Sequence, residues 1–248
     1  MYTGQVEYTA PVPGIILKPF EINHPHPSVS RVHIESASDS QIRISFFVSD
    51  VQSVNEASNL TQDIVSDILD KLSFLLGAPV GPSHLCGASV RKEIETSDGS
   101  KLIDLQCTDS LAFDCRINIV NKLDQQSTKV IQDALEQKQM PGIRYFNRYR
   151  IALLNTDPVA RFMELYKVFL SIFGDSQKQV DQFIQSAEPN VPVSPRPDKP
   201  HIKETVYTRL RNEIGHLRPN AVPSTREEIK HWVSRLAGLA KKAIEQNP

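Results

Sequence analysis

The sequence predicts an α+β protein, with a mixed strand-and-helix N-terminal domain over residues 1–140 and a C-terminal all-helical bundle over residues 141–248. Three observations carry this reading. Period-two alternation of apolar residues is confined to the first 120 positions, apolar residues three and four apart dominate after the break at Met140-Pro141-Gly142, and the charge divides with the pattern. Residues 1–140 hold 11 Lys/Arg against 18 Asp/Glu, a net −7, whereas residues 141–248 hold 17 against 11, a net +6. A polyanion, if one binds, is expected at the basic half; a solvated basic face without a partner is the alternative.

The elements follow in order. The first 30 residues are proline-rich and read as irregular, with His24-Pro25-His26-Pro27 forced into extended backbone. Arg31-Val32-His33-Ile34 and the alternating Ile42, Ile44, Phe46 and Val48 read as a half-buried hairpin. Leu60, Ile64, Ile68 and Leu72, widened by Val65, Leu69 and Leu76, form a helical stripe that ends at Gly77 and Pro79. Residues 88–107 read as a second hairpin turning at Asp98-Gly99, a pair suited to positive φ. Leu111 to Ile119 alternate as a further strand with Cys115 facing a core, and residues 122–138 read as an amphipathic helix.

Beyond residue 142 no strand pattern recurs. Asp157 can cap a helix with Pro158 in its first position, and Phe162, Leu165, Tyr166, Phe169, Ile172 and Phe173 share one face up to Gly174. Residues 176–187 form a shorter helix. Five prolines in the twelve positions from Pro189 to Pro200 predict an extended, exposed connection. The last helix opens on the capping box Ser224-x-x-Glu227 and buries Ile229, Trp232, Val233, Leu236, Ala240 and Ala243.

Composition excludes several classes. A 40% apolar and 23% charged content is that of a globular protein, not a disordered one. No run approaches the roughly 18 apolar residues of a membrane helix, and the first residues lack the basic start and apolar run of a signal peptide, so a cytoplasmic protein is expected. Cys86, Cys107 and Cys115 contain no C-x-x-C pair and read as core thiols. No Gly-rich phosphate loop, Ser-His-Asp set or metal cluster is found, so neither metal nor cofactor is expected.

Chemistry concentrates in Thr205-Val-Tyr-Thr-Arg209-Leu-Arg211-Asn212-Glu213-Ile-Gly215-His216-Leu-Arg218, which places a histidine, three arginines and an asparagine within ten residues. Metal-free RNA cleavage needs a base for the 2′-hydroxyl proton, an acid for the leaving oxygen and a cation for the charge gathering on phosphorus. His216 has the pKa range for the first two roles and Arg211 the planar fork for the third. Asn212, one turn before His216, is placed to hold its imidazole or a phosphate oxygen. On an ideal helix Arg211 and His216 point about 140° apart. The helix must therefore distort near Gly215, or the two side chains meet from different subunits. Arg209 and Arg218 flank the motif as candidate positioning contacts to phosphate.

Arg211-Asn212-Glu-Ile-Gly-His216 resembles the signature of the HEPN superfamily, an Arg often followed by Asn with His four to six residues beyond the Arg. More narrowly, Asp157-Pro158-Val-Ala-Arg-Phe162-Met-Glu164-Leu165-Tyr166 taken with Tyr207 to His216 is similar to the uncharacterised methylamine-utilisation MauJ group. The resemblance covers about residues 145–245. It implies a HEPN-like helical bundle that forms a homodimer with two motifs in one cleft. In active members it implies a metal-independent endoribonuclease acting on single-stranded RNA, as in a toxin or defence effector. Many members are inactive, so a non-catalytic RNA- or protein-binding module, accessory to a metabolic operon, stays open beside it. So does a motif that only caps and solvates a helix end ahead of Pro219.

Overall fold

The computed structural model describes residues 1–96, 100–109, 121–137, 139–215 and 223–247. The chain divides into two compact units, Met1–Leu75 with Pro79–Lys138, and Leu76–Ala78 with Gln139–Pro248. The first is built on a sheet and the second on helices.

In the first unit, strands β1 (Tyr2–Pro11), β3 (Phe20–Ile22), β4 (Val29–Ser36), β5 (Gln41–Val51), β6 (His84–Glu95) and β7 (Lys101–Asp109) form an antiparallel six-stranded sheet in the order β3-β4-β5-β1-β6-β7. The strand β1 runs through its middle, where Val6, Tyr8 and Ala10 are buried at period two beside Ile42, Ile44, Phe46 and Val48 of β5. Helix α1 (Val54–Leu76) buries Ile64, Val65, Ile68, Leu69 and Leu72. It is tied to the sheet by the Tyr8 hydroxyl, 3.0 Å from both the Ser58 carbonyl and Thr61 Oγ1. Short strands β2 (Ile15–Ile16) and β8 (Asn121–Lys122) pair in parallel, and α2 (Gln125–Glu136) starts on the Asp124 carboxylate, which accepts from the Ser127 amide.

Two expectations for this unit are corrected. The first 30 residues, read as irregular, carry β1, β2 and β3, because Pro11 stands at the end of β1 and leaves its ladder intact. The cysteines read as core thiols are half-buried at Cys86 and exposed at Cys107, since β7 is the edge strand and Cys107 points to its open face. The 88–107 hairpin is present as β6 and β7. Its turn at Asp98-Gly99, and the strand read over 111–119 with Cys115, lie outside the described residues.

In the second unit a short 3-10 turn (Ile143–Tyr145) leads into α3 (Phe146–Leu154), α4 (Pro158–Ile172) and α5 (Gln177–Ala187), followed by α6 (Val206–Gly215) and α7 (Pro223–Glu245). Asp157 caps α4 as its sequence requires, accepting from the Ala160 amide at 2.8 Å ahead of Pro158. Phe162, Leu165, Tyr166 and Phe169 of α4 and Ile229, Leu236, Ala240 and Ala243 of α7 are fully buried, whereas Trp232 stays half-exposed. The all-helical expectation is corrected between α5 and α6. The proline-rich stretch read as an exposed connection folds back as a hairpin of β9 (Val193–Arg196) and β10 (Lys199–Thr205). A two-stranded ribbon has only outer edges, so Pro195 removes no ladder bond that a second neighbour needs. The last helix begins at Pro223, which puts Ser224 in its first turn. Among the described residues no helix is long and apolar enough to cross a membrane.

Gly142 has φ +71°, and a Cβ there would stand 2.5 Å from Ile244 Cγ2 and 2.6 Å from the Ile244 carbonyl oxygen. Gly174, after α4, has φ +59° with open space around it. Gly174→Ala should therefore cost about 1 kcal/mol of backbone strain. Gly142→Ala, which adds a clash with backbone, should cost at least about twice that by urea unfolding; equal losses would show that α7 yields at Ile244.

Candidate functional site

The helix α6 grows directly from β10, and Thr205 at the junction does two jobs. Its Oγ1 accepts from the Thr208 amide at 3.4 Å, capping the first turn, and donates to Asp181 Oδ1 at 2.7 Å. The same carboxylate oxygen also accepts from the Thr205 amide at 3.1 Å and from Thr208 Oγ1 at 2.6 Å. Because the single Thr208 hydroxyl proton goes to Asp181, the Tyr166 hydroxyl, 2.7 Å away, donates to Thr208. One oxygen of α5 thus fixes the start of α6, and α4 joins the chain through Tyr166. Burial pushes the Asp181 carboxyl above the usual range in spite of these donors, with the Glu204 charge adding to the shift. Burial likewise pushes the Tyr166 and Tyr207 hydroxyls well up.

Apolar packing sets the roll of α6. Tyr207 stacks on Phe162 with ring centroids 6.5 Å apart and meets Trp232 edge-on at 5.5 Å, while Val206 and Leu210 are buried beside it. With Tyr207 and Leu210 inward, Asn212 is turned inward too, at 1% exposure, and Arg211 is left half-buried. The Arg211 guanidinium donates through Nη1 to Asn212 Oδ1 at 3.0 Å, and its Cζ lies 5.9 Å from the centre of the Tyr166 ring. It passes close to Gly215, where a Cβ would stand 4.0 Å from Arg211 Nε.

Both ends of the Asn212 amide are bonded within the protein. Its Oδ1 also accepts from Gln177 Nε2 at 3.0 Å, and its Nδ2 donates to Glu204 Oε2 at 3.0 Å. Asn212 was expected to hold an imidazole or a phosphate oxygen. It links Arg211 to α5 and β10, so it positions the arginine; the imidazole of that expectation belongs to His216, outside the described residues. Arg209, expected as a phosphate contact, lies between two carboxylates, with Nη1 donating to Glu213 at 2.7 Å and Nη2 to Glu228. The Glu213 carboxylate also accepts from Thr225 Oγ1 at 2.9 Å, so the Arg209 group joins α6 to the first turns of α7. His216 and Arg218 lie outside the described residues. Glu164 is on the surface, paired with Lys167.

Sequence reasoning missed Asp181, Glu204 and Gln177. The signal for Asp181 was present: it shares the apolar side of α5 with Val180 and Ile184, where a carboxylate has no reason to be unless it is bonded. Glu204 carried no such signal, since its burial depends on the unexpected β10. These residues border a cavity of about 380 Å³ within this unit, with Asp181, Glu204 and Thr208 among its lining. Among the described residues no group of three His, Cys, Asp or Glu is arranged to hold a metal ion.

The raised Asp181 pKa has a definite sign. Its contribution to stability is fully present below the unfolded value of about 3.8 and is lost as pH rises through the folded value. Asp181→Asn keeps an oxygen for the three donors and removes the titration. Relative to that variant, the wild type should be more stable near the unfolded pKa than at about pH 7, by urea unfolding at both. A difference independent of pH would mean that the carboxyl is not perturbed.

Comparison with family models, curated proteins and solved structures finds no match to this chain, so its functional reading rests on the geometry of this site.

Proposed function

We propose that the chain is a metal-independent endoribonuclease acting on single-stranded RNA through Arg211 and His216, in a HEPN-like C-terminal bundle that pairs as a homodimer. The observation that carries this reading is the hold on Arg211. Its guanidinium is aimed by an asparagine that is itself locked by Gln177 and Glu204, which is the preorganisation a cation needs to meet charge developing on a phosphate. In the reaction His216 takes the ribose 2′-hydroxyl proton, and the 2′-oxygen bonds to phosphorus as the bond to the 5′-oxygen breaks. An imidazolium, from the same residue or its counterpart in the second copy, returns a proton to the leaving 5′-oxygen. The products are a 2′,3′-cyclic phosphate and a 5′-hydroxyl. Arg211 stabilises the dianionic phosphorane between them.

A second reading has its own support. Because Asn212 is turned into the protein, the motif lends its asparagine to the fold, an arrangement that also suits a non-catalytic RNA- or protein-binding module. Arg209, neutralised by Glu213 and Glu228, then contributes to architecture in either reading, and Arg218 remains the flanking phosphate contact.

Purified protein should cut single-stranded RNA in EDTA, and Arg211→Ala or His216→Ala should each lower the rate by about 100-fold or more with the unfolding midpoint kept. Equal cutting by the wild type and both variants would contradict the assignment, and RNA binding without cutting by the wild type would favour the second reading. Arg209→Ala should act differently, lowering stability through the loss of two carboxylate partners before it lowers RNA affinity. Sedimentation should give a dimer at micromolar concentration; a monomer that still cuts RNA would contradict the shared cleft.

A further inference from the structure

The cavity beside Asp181 has a polarity that its structural bonds leave unused. Its floor is acidic, formed by Asp181, Glu204 and Thr208, and its mouth carries Lys178, Arg196 and Lys203. Asp181 is 8% exposed, and all three of its hydrogen bonds fall on Oδ1. Its Oδ2 receives none from the described residues and belongs to a side chain that borders the cavity. Beside it, Gln177 spends its Nε2 on Asn212, and its Oε1 has no partner among the described residues. Ser194, directly across the ribbon from Glu204, has a buried hydroxyl with no partner there either. Asp181 Oδ2 is thus an acceptor that the fold leaves open at the cavity wall, placed to receive the donors of a ligand.

The ligand must be amphoteric, with donors for the floor, an anion for the cationic mouth, and a flat apolar middle to lie against Ile202. A mononucleotide has this layout. Among the four RNA bases only guanine presents two adjacent donors, N1–H and the 2-amino group, on its pairing edge; cytosine and adenine present an amino donor beside an acceptor, and uracil one N–H between two carbonyls. A volume of about 380 Å³ is of the size that small ligands occupy. We propose that this cavity between α5 and β10 is a guanine-recognition pocket for single-stranded RNA, with Asp181 Oδ2 accepting from the base edge and Lys178 and Lys203 facing its phosphate. The proposal rests on the RNA reading above and adds substrate preference to it. Glu204 joins the pocket to Asn212 and Asn212 to Arg211, so an occupied pocket sits two side chains from the motif arginine.

Calorimetric titration of the full chain with guanosine 5′-monophosphate should show saturable binding. Inosine 5′-monophosphate, which lacks only the 2-amino group, should bind at least about tenfold more weakly, and the adenine, cytosine and uracil nucleotides more weakly still. Asp181→Asn, which turns an N–H₂ toward the base, should lose at least about tenfold in affinity for the guanine nucleotide. Lys203→Ala should weaken the nucleotide while leaving guanosine unchanged, a contrast that holds even if the Asp181 variant does not fold. Equal binding of all four nucleotides, no saturable binding, or inosine binding equal to guanosine would each overturn the pocket. Guanine binding by a chain that cuts no RNA would support the pocket and remove only the nuclease; RNA cutting by a chain indifferent to guanine would do the reverse.

Discussion

The arrangement of the C-terminal unit depends on one buried oxygen, Asp181 Oδ1. It accepts from the Thr205 amide and from the hydroxyls of Thr205 and Thr208, and so fixes where β10 stops and α6 begins. Each charge-assisted bond is worth about 1.5–3 kcal/mol. Removing a carboxylate from water costs several kcal/mol, so the net gain is small and the main effect is on geometry. With the first turn of α6 pinned, Tyr207 is delivered to Phe162 and Trp232, Asn212 falls inside, and Arg211 falls at the boundary. An arginine could be placed there by packing alone; the Asn212 amide, held at both ends, helps to aim its fork.

Charge along the chain says less than its distribution in space. The +6 of residues 141–248 suggested a broad electrostatic face, yet Arg209 is neutralised by Glu213 and Glu228, Arg235 approaches Glu188, and Arg196 pairs with Asp198. The more exposed Arg235 and Arg196 pairs contribute little to stability, unlike the partly buried Arg209 group. They do subtract from the field that a polyanion would meet, and so shift weight from net charge to the few cations set around the motif and the cavity.

Local patterns were legible where one physical signal acted alone. The alternation of Ile42, Ile44, Phe46 and Val48, the stripe of α1, and the Asp157-Pro158 start of α4 needed no distant partner to be recognised. The strand β1 was hidden because Val6, Tyr8 and Ala10 stand next to prolines that break helices but are tolerated at a strand end. The β9–β10 ribbon was hidden for the same reason and took Glu204 with it. For the candidate site, the motif placed Arg211 and Asn212 on one helix, but not their partners. Gln177 and Glu204 are 35 and 8 residues from Asn212 and meet it only through the tertiary fold. The Asn212 role changed because burial, which a motif does not encode, decides whether an amide faces solvent or core.

The central claim is that Arg211 is held in place to stabilise a phosphorane formed by attack of a ribose 2′-hydroxyl, with no metal taking part. The chemistry of the cut ends tests it most directly. RNA incubated with the protein in EDTA and analysed by mass spectrometry should carry 2′,3′-cyclic phosphates opposite 5′-hydroxyls. Ends with 3′-hydroxyls and 5′-phosphates, or intact RNA, would contradict the account.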